Sequence, residues 1–425
     1  MTRGFRSRTL HGGHEPAAEG GSYAPPIHQT TSYRLGSADR AAELYALETE
    51  GDVYSRISNP TVRTLERRIA AVSGGVGAVA TNAGMAAIDS LTTVLAAAGD
   101  NVVTAGDLYG GTTTYFAHTA TRRGVEIRTV DTLDYDAYAD AIDEDTAFVH
   151  VETMANPSLV TPEFERLAEI AHERATPLIV DNTFGSPALC RPLEHGADAV
   201  WESTTKWIHG SGTTVGGVIV DGGTFPWDHP DADYPELAGE NPAFGVDFSE
   251  RFGEEALTHA LRHRGLRPLG AQQTPFDAWA TLQGLETLDL RMDRHCENAR
   301  IVAEHLDDHP EVAWVTYPGL PDHPTHDNAA RYLDGFGGML AFGLEDGFSA
   351  GKQFCEAVEL AGFVANVGDA RTLVIHPAST THAQLSEAEQ RAAGVSPDLL
   401  RLSVGLEEPE DIVDDIDAAI ERVTA

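Results

Sequence analysis

A chain of 425 residues, 42% hydrophobic and 7% aromatic, has material for more than one core; this excludes a disordered protein and predicts two domains. A formal net charge of −37, from 66 acidic and 29 basic side chains, excludes nucleic acid and anionic membranes as partners, because both are bound through basic patches. No apolar run is long enough to cross a bilayer, and the basic N-terminal segment has no apolar stretch behind it. Three widely spaced cysteines (Cys190, Cys296, Cys355) make neither a disulfide framework nor a zinc site, so a cytoplasmic protein without a metal is expected.

The first sixty residues show little periodicity and predict an arm, residues 1–62. From about residue 63 helical and strand patterns alternate. "TVRTLERRIAAVSG" is an amphipathic helix with a glycine stop, and "GAVATNAGMAAIDSLTTVLAAAGD" is a strand, a small-residue turn and a helix. "NVVTAG", "VEIRTVD", "AFVHVETM", "PLIVDNTF" and "DAVWES" follow as short β-branched strands. Between them "PEFERLAEIAHERA" is a helix expected to open with Thr161 as N-cap and Pro162 at its first turn. Such alternation predicts an α/β fold with a mostly parallel sheet covered by helices, residues 63–285. Residues 222–268, rich in Gly, Pro and Asp, are expected to be a loop-like insertion. "TPFDAWATLQGLETLDLRMDRHCENARIVAEHL" reads as one long helical stretch leading into a smaller α/β domain, residues 286–425, with strands in "GGMLAFGL", "TLVIHPAS" and "LLRLSVGLE".

Ligand groups in such sheets sit at the C-terminal ends of strands, where Asn82, Tyr109, Asn156, Asp181 and Lys206 all fall. Lys206 is one of two lysines, the other being Lys352, against 27 arginines. A retained lysine points to chemistry that arginine cannot perform, because an amine loses its proton on desolvation and becomes a nucleophile. Gly84 opens a helix whose free N–H groups suit an anion. Ser203 and Thr205 add hydroxyls beside the amine, Tyr109 an aromatic face and Asp181 an acid. Together these match pyridoxal phosphate, which needs a Schiff-base lysine, a phosphate cradle and an acid at its ring nitrogen. Two other signals are discounted. "GVGAVA" follows a helix where a dinucleotide fingerprint follows a strand, and His323 and His326 of "HPTH" lack a third ligand.

The stretches "PPIHQTTSY", "YSRISNPT", "NAGMAAI", "DLYGGT", "ETMANPS", "VDNTF", "ESTTKWIHGSGT", "GDARTLVIHPASTTH" and "RLSVGLE" resemble, in order, the Cys/Met-metabolism family of pyridoxal-phosphate enzymes. The resemblance implies a fold-type I transferase with Lys206 as the Schiff-base lysine and proton carrier, and Asp181 at the pyridine nitrogen. It implies Gly84, Met85, Ser203 and Thr205 around the phosphate, Tyr109 stacked on the ring with a role in proton transfer, and Asn156 at the ring hydroxyl. Tyr54 and Arg56 would reach the phosphate of a neighbouring subunit, implying a homo-oligomer, at least a dimer and expected as a tetramer. Arg401 would clamp the substrate carboxylate, with Asn366 beside it.

Within the family, the insertion, the "TKWIHGSGTTVGG" segment and the Asn366/Asp369 pair are similar to those of O-acetylhomoserine sulfhydrylases. Those enzymes replace the acetoxy group of O-acetyl-L-homoserine by sulfide or a small thiol. Cystathionine γ-synthase, methionine γ-lyase, a non-catalytic binding subunit and, more distantly, a dehydrogenase are the alternatives. The chain departs from the family at Ala83, where serine is commoner, at His28, where tyrosine is usual, and at "DYPEL", which lacks a Tyr-His-Gly. Its acid-rich, lysine-poor composition resembles that of proteins from salt-loving organisms, where salt screens self-repulsion.

Overall fold

The computed structural model describes residues 3–17 and 20–424. Two short helices, α1 (Phe5–His11) and α2 (Ala38–Tyr45), lie in the N-terminal segment. Helix α3 (Pro60–Ser73) starts three residues before the expected onset of regular structure, because Asn59 caps it by accepting the Thr61 N–H and Pro60 takes its first position. The expected arm boundary at residue 62 therefore falls inside α3.

The larger sheet is built from β1 (Gly77–Thr81), β2 (Asn101–Ala105), β3 (Glu126–Val130), β4 (Thr146–Glu152), β5 (Leu178–Asp181), β6 (Ala199–Glu202) and β7 (Gly217–Asp221). Its order is β1-β7-β6-β5-β4-β2-β3, parallel from β6 through β3, with β7 antiparallel to both neighbours. Central strands such as β4 are buried along their whole length because helices cover both faces, which is why they read as apolar runs without alternation. From β2 the chain steps outward to β3, then returns to β4 and moves the other way to β5 and β6. The order thus reverses between β2 and β4, and such a reversal opens a crevice at the carboxyl ends of the strands.

The smaller sheet comprises β8 (Val312–Thr316), β9 (Met339–Leu344), β10 (Gly362–Phe363), β11 (Leu373–Ile375) and β12 (Leu399–Ser403), in the order β10-β11-β12-β9-β8. Only the β10–β11 pairing is parallel. Each sheet has its own apolar core, and the helix Leu288–Asp307 joins them. Leu288 and Met292 are buried with the larger core, and Val302 and Leu306 with the smaller.

Three local expectations are corrected. The helix expected to open at Thr161-Pro162 runs Phe164–His172 instead. A tertiary partner takes the N–H that a Thr161 cap would serve: Glu163 donates to the Tyr135 hydroxyl at 2.9 Å, while the Thr161 N–H itself is held by the Thr325 hydroxyl at 3.0 Å. The single long helix after Thr274 is two, Pro275–Leu285 and Leu288–Asp307. Gly284 packs against the His209 backbone and turns its carbonyl to the Arg291 guanidinium at 2.8 Å, which breaks the run. The insertion is loop-like only in its first half, anchored by buried Trp227, Tyr234 and Leu237. Its second half coils into Phe248–Phe252, Ala256–Ala260 and Leu261–Leu266, where Phe248 and Phe252 stack with His263 and His259 respectively.

Candidate active site

Lys206 sits on a tight turn leaving β6. Its N–H donates to the Ser203 carbonyl (3.2 Å), and its own carbonyl accepts from Gly210 (2.8 Å). Fully buried Trp207 anchors the turn, and the half-buried Arg291 side chain donates to the carbonyls of Trp207 and Ile208 at 2.7 and 3.1 Å. From the segment between β10 and β11, Gly368 (φ +72°) presses on the same turn. A Cβ there would lie 2.7 Å from the Trp207 nitrogen and 2.9 Å from the Lys206 carbonyl carbon, so only glycine fits. Two residues earlier, the Asn366 Oδ1 accepts from Lys206 Nζ at 2.5 Å. Burial, reinforced by the Arg401 charge, lowers the Lys206 amine to about 8.

Asp181 ends β5 and is buried, with its carboxylate accepting the Thr183 N–H at 2.9 Å. Burial pushes its carboxyl up to about 7. In register beside it Glu152 ends β4, accepting the N–H groups of Tyr109 and Asn156 at 2.6 and 3.2 Å. Burial first, and then the Asp181 charge, hold the Glu152 carboxyl well above the usual carboxylate range.

Helix α4 (Gly84–Leu95) points its N-terminus at this crevice. Its N-cap is Ala83, which offers no side-chain bond, so the first-turn N–H groups of Gly84 and Met85 are left for a ligand. A Cβ on Gly84 would stand 2.9 Å from that of Ser203, so the close approach of the β6 turn demands glycine here too. The Ser203 and Thr205 hydroxyls face the Gly216 carbonyl at 3.5 and 3.2 Å. Arg401, on β12, donates to Asn156 Oδ1 at 3.2 Å and has no ion-pair partner among the described residues. Burial lowers its guanidinium to about 10.

One cavity is lined by Gly84, Met85, Tyr109, Asn156, Asp181, Ser203, Thr205, Lys206, Asn366 and Arg401. Tyr109 is half exposed at its rim. Tyr54 and Arg56 do not line it. Tyr54 is exposed, and Arg56 lies 5.5 Å from the Tyr54 ring with its guanidinium bonded to the Arg267 carbonyl. Asn82, though at a strand end, is exposed and outside the lining. His323 and His326 hydrogen-bond to the backbone carbonyls of Ser158 and Pro318.

Glu152, Thr183, Met154, Phe184 and Trp201 also line the cavity, and none was singled out from the sequence. Glu152 carried the signal that identified Asp181, an acid ending an apolar strand, in "AFVHVE".

The arrangement fits pyridoxal phosphate. An uncapped helix terminus with two nearby hydroxyls suits the phosphate, a buried carboxylate suits a protonated ring nitrogen, and a desolvated lysine suits an aldehyde. Comparisons agree. The chain is 47% identical over 420 residues to "O-acetyl-L-homoserine sulfhydrylase 1" of Thermus thermophilus, covering 98% of this chain and 99% of that protein. It is 46% identical over 420 residues to "Homocysteine synthase" of Schizosaccharomyces pombe, covering 98% of each. Its fold matches that of a Campylobacter jejuni chain named as an O-acetylhomoserine (thiol)-lyase, with a TM-score of 0.94 and 34% identity over 99% of this chain and all of that one. That structure contains N'-pyridoxyl-lysine-5'-monophosphate. Residues 6–421 match the family described as Cys/Met metabolism PLP-dependent enzyme, and the chain belongs to that family.

Proposed function

We propose that this enzyme converts O-acetyl-L-homoserine and sulfide, or a small thiol, to L-homocysteine or its thioether and acetate. The observation that carries the reading is full-length similarity to proteins bearing the sulfhydrylase and homocysteine synthase names, joined to a cavity holding Lys206, Asp181 and Arg401 together. When bound, pyridoxal phosphate supplies an electron sink that stabilises negative charge on the substrate carbons and so lets the γ-acetoxy group leave. The chain's own residues do the rest. Lys206, its amine brought toward neutrality, moves protons at Cα and Cβ. Arg401 holds the amino acid's carboxylate through two parallel N–H donors, with Asn366 beside it. Asp181 keeps a proton at the ring nitrogen, Asn156 bonds the ring hydroxyl, and Tyr109 covers the ring and handles a proton near the leaving group. Gly84, Met85, Ser203 and Thr205 cradle the phosphate.

The same reading gives the residues before α3 as an arm, those from α3 to 285 as the cofactor-binding domain and 286–425 as the smaller domain. Tyr54 and Arg56 complete a neighbouring subunit's phosphate site in a cytoplasmic homotetramer. Their position outside this chain's own cavity supports that role.

The function is tested by supplying O-acetyl-L-homoserine in concentrated salt, with and without sulfide. Homocysteine is expected only when sulfide is present; 2-oxobutanoate and ammonia formed regardless of sulfide would make the enzyme a γ-lyase. A net charge of −37 also supports adaptation to salt. Screening shortens to about 3 Å at molar ionic strength, so the unfolding midpoint is expected to rise from low to molar salt. Equal midpoints would remove that part of the proposal.

A further inference from the structure

Glu152 and Asp181 stand in register at the ends of adjacent strands, both carboxylates buried against the same cavity. Two features set Glu152 apart from an ordinary buried acid. One oxygen accepts the Tyr109 N–H and the other the Asn156 N–H, so a single side chain joins the turns that follow β2 and β4. Among the described residues, no lysine or arginine side chain bonds to either oxygen.

The charged and titratable neighbours do not make up for this. Asp107, on the β2 turn, adds a further negative charge near Glu152. Glu202, on β6, lies close enough to Asp181 to feel its charge. His150, two residues back on β4, accepts the Trp201 indole N–H at 3.2 Å and is kept neutral by burial. Lys206 and Arg401 are engaged with Asn366 and Asn156. Two adjacent carboxylates in a low dielectric do not both ionise unless a positive charge stands with them; otherwise they share a proton.

We infer that Glu152 is a positioning residue for the cofactor ring: it fixes the turns carrying Tyr109 and Asn156, and its charge beside Asp181 makes the pair a stronger host for a protonated ring nitrogen than Asp181 alone. In the cofactor-stripped protein the pair keeps one proton in the place of that ring N–H. The inference rests on the placement of Asp181 at the ring nitrogen proposed above.

The sign of the pH dependence follows. Burial raises both carboxyls, Asp181 to about 7, and the Asp181 charge raises Glu152 further. A carboxyl raised on folding stabilises the fold below its unfolded value and loses that contribution as pH rises to its folded value, here between about pH 4 and about pH 7. The stripped protein therefore carries this loss, and the loaded protein, with a ring cation in place, does not.

The test is thermal unfolding of loaded and stripped protein from about pH 5 to about pH 8. It is paired with the ring-nitrogen NMR shift of isotopically labelled cofactor. Stripped wild type and Glu152→Asp are expected to fall behind their loaded forms as pH rises, by roughly 2–4 °C in Tm. Stripped Glu152→Gln should fall behind less, and its loaded ring nitrogen should move toward the unprotonated shift. A loaded-to-stripped gap in wild type that does not change with pH overturns the inference without requiring any variant to fold. So does a ring nitrogen that moves in Asp181→Asn but stays in place in Glu152→Gln. If it stays in place in both variants, the placement of Asp181 fails and the inference falls with it.

Discussion

Replacing Lys206 by alanine is expected to lower kcat by at least about four orders of magnitude, because one change removes both the proposed nucleophilic amine and the proposed proton carrier. Among the described residues it is the only amine lining the cavity. The fold is expected to survive. The turn is held by Trp207, by the Arg291 guanidinium and by the Gly368 contact, none of which uses the lysine side chain beyond its first carbons. The visible absorption of bound cofactor should disappear while circular dichroism stays that of the wild type. Lys206→Arg is the sharper control. It keeps charge and reach, but a guanidinium stays protonated where the buried amine is drawn down to about 8, so it should be as inactive as alanine. Turnover by either variant within tenfold of wild type, about 1.4 kcal/mol in barrier, would remove the assignment.

Arg401→Ala is expected to lose about 2–5 kcal/mol of binding to the amino-acid carboxylate, the usual cost of truncating one partner of an enclosed charge pair. That corresponds to a fall in kcat/KM of roughly 30-fold to a few thousand-fold. Most of it should appear as a raised KM for the amino acid, since the carboxylate is held both before and during the reaction, and KM for the thiol should stay put. Arg401 is suited to this because the structure spends no acid on it. Its side chain bonds to the neutral Asn156 amide, and burial already brings the guanidinium down to about 10, so an arriving carboxylate relieves an existing electrostatic cost. Arg401→Lys should recover part of the loss, keeping the charge without the fork. An unchanged KM in Arg401→Ala would end the proposed role.

Much of the site was readable because strand ends announce themselves. Asp181, Asn156 and Lys206 each follow an apolar run, and in a parallel α/β sheet those positions share one edge. Gly84 was readable for another reason: a small residue between a strand and a helix marks an N-terminus free to meet an anion. Glu152 escaped although it ends a strand in the same way. Its importance comes from β4 lying directly beside β5, which pairs it with Asp181, and from two backbone N–H groups that reach it from different turns. Strand order is a property of long-range packing, and no local pattern encodes it.

The helix corrections have the same origin. Thr161-Pro162 is a good local start signal, yet Tyr135 takes the Glu163 N–H that a cap at Thr161 would have served, and Thr325 holds Thr161 itself, both from afar in sequence. Gly284 ends a helix because the His209 backbone passes against it, a contact supplied by the turn that carries Lys206. By itself the sequence determined the alternation of strands and helices through the larger sheet, the candidate side chains at its strand ends, and the family, since these follow from local periodicity and from the order of short motifs. Only the tertiary structure decided that Asn366 and Gly368, from the segment before β11, close on Lys206 after β6, and that two acids share one buried place. Those facts depend on distances between segments that lie about 160 residues apart along the chain and meet only when the cores pack.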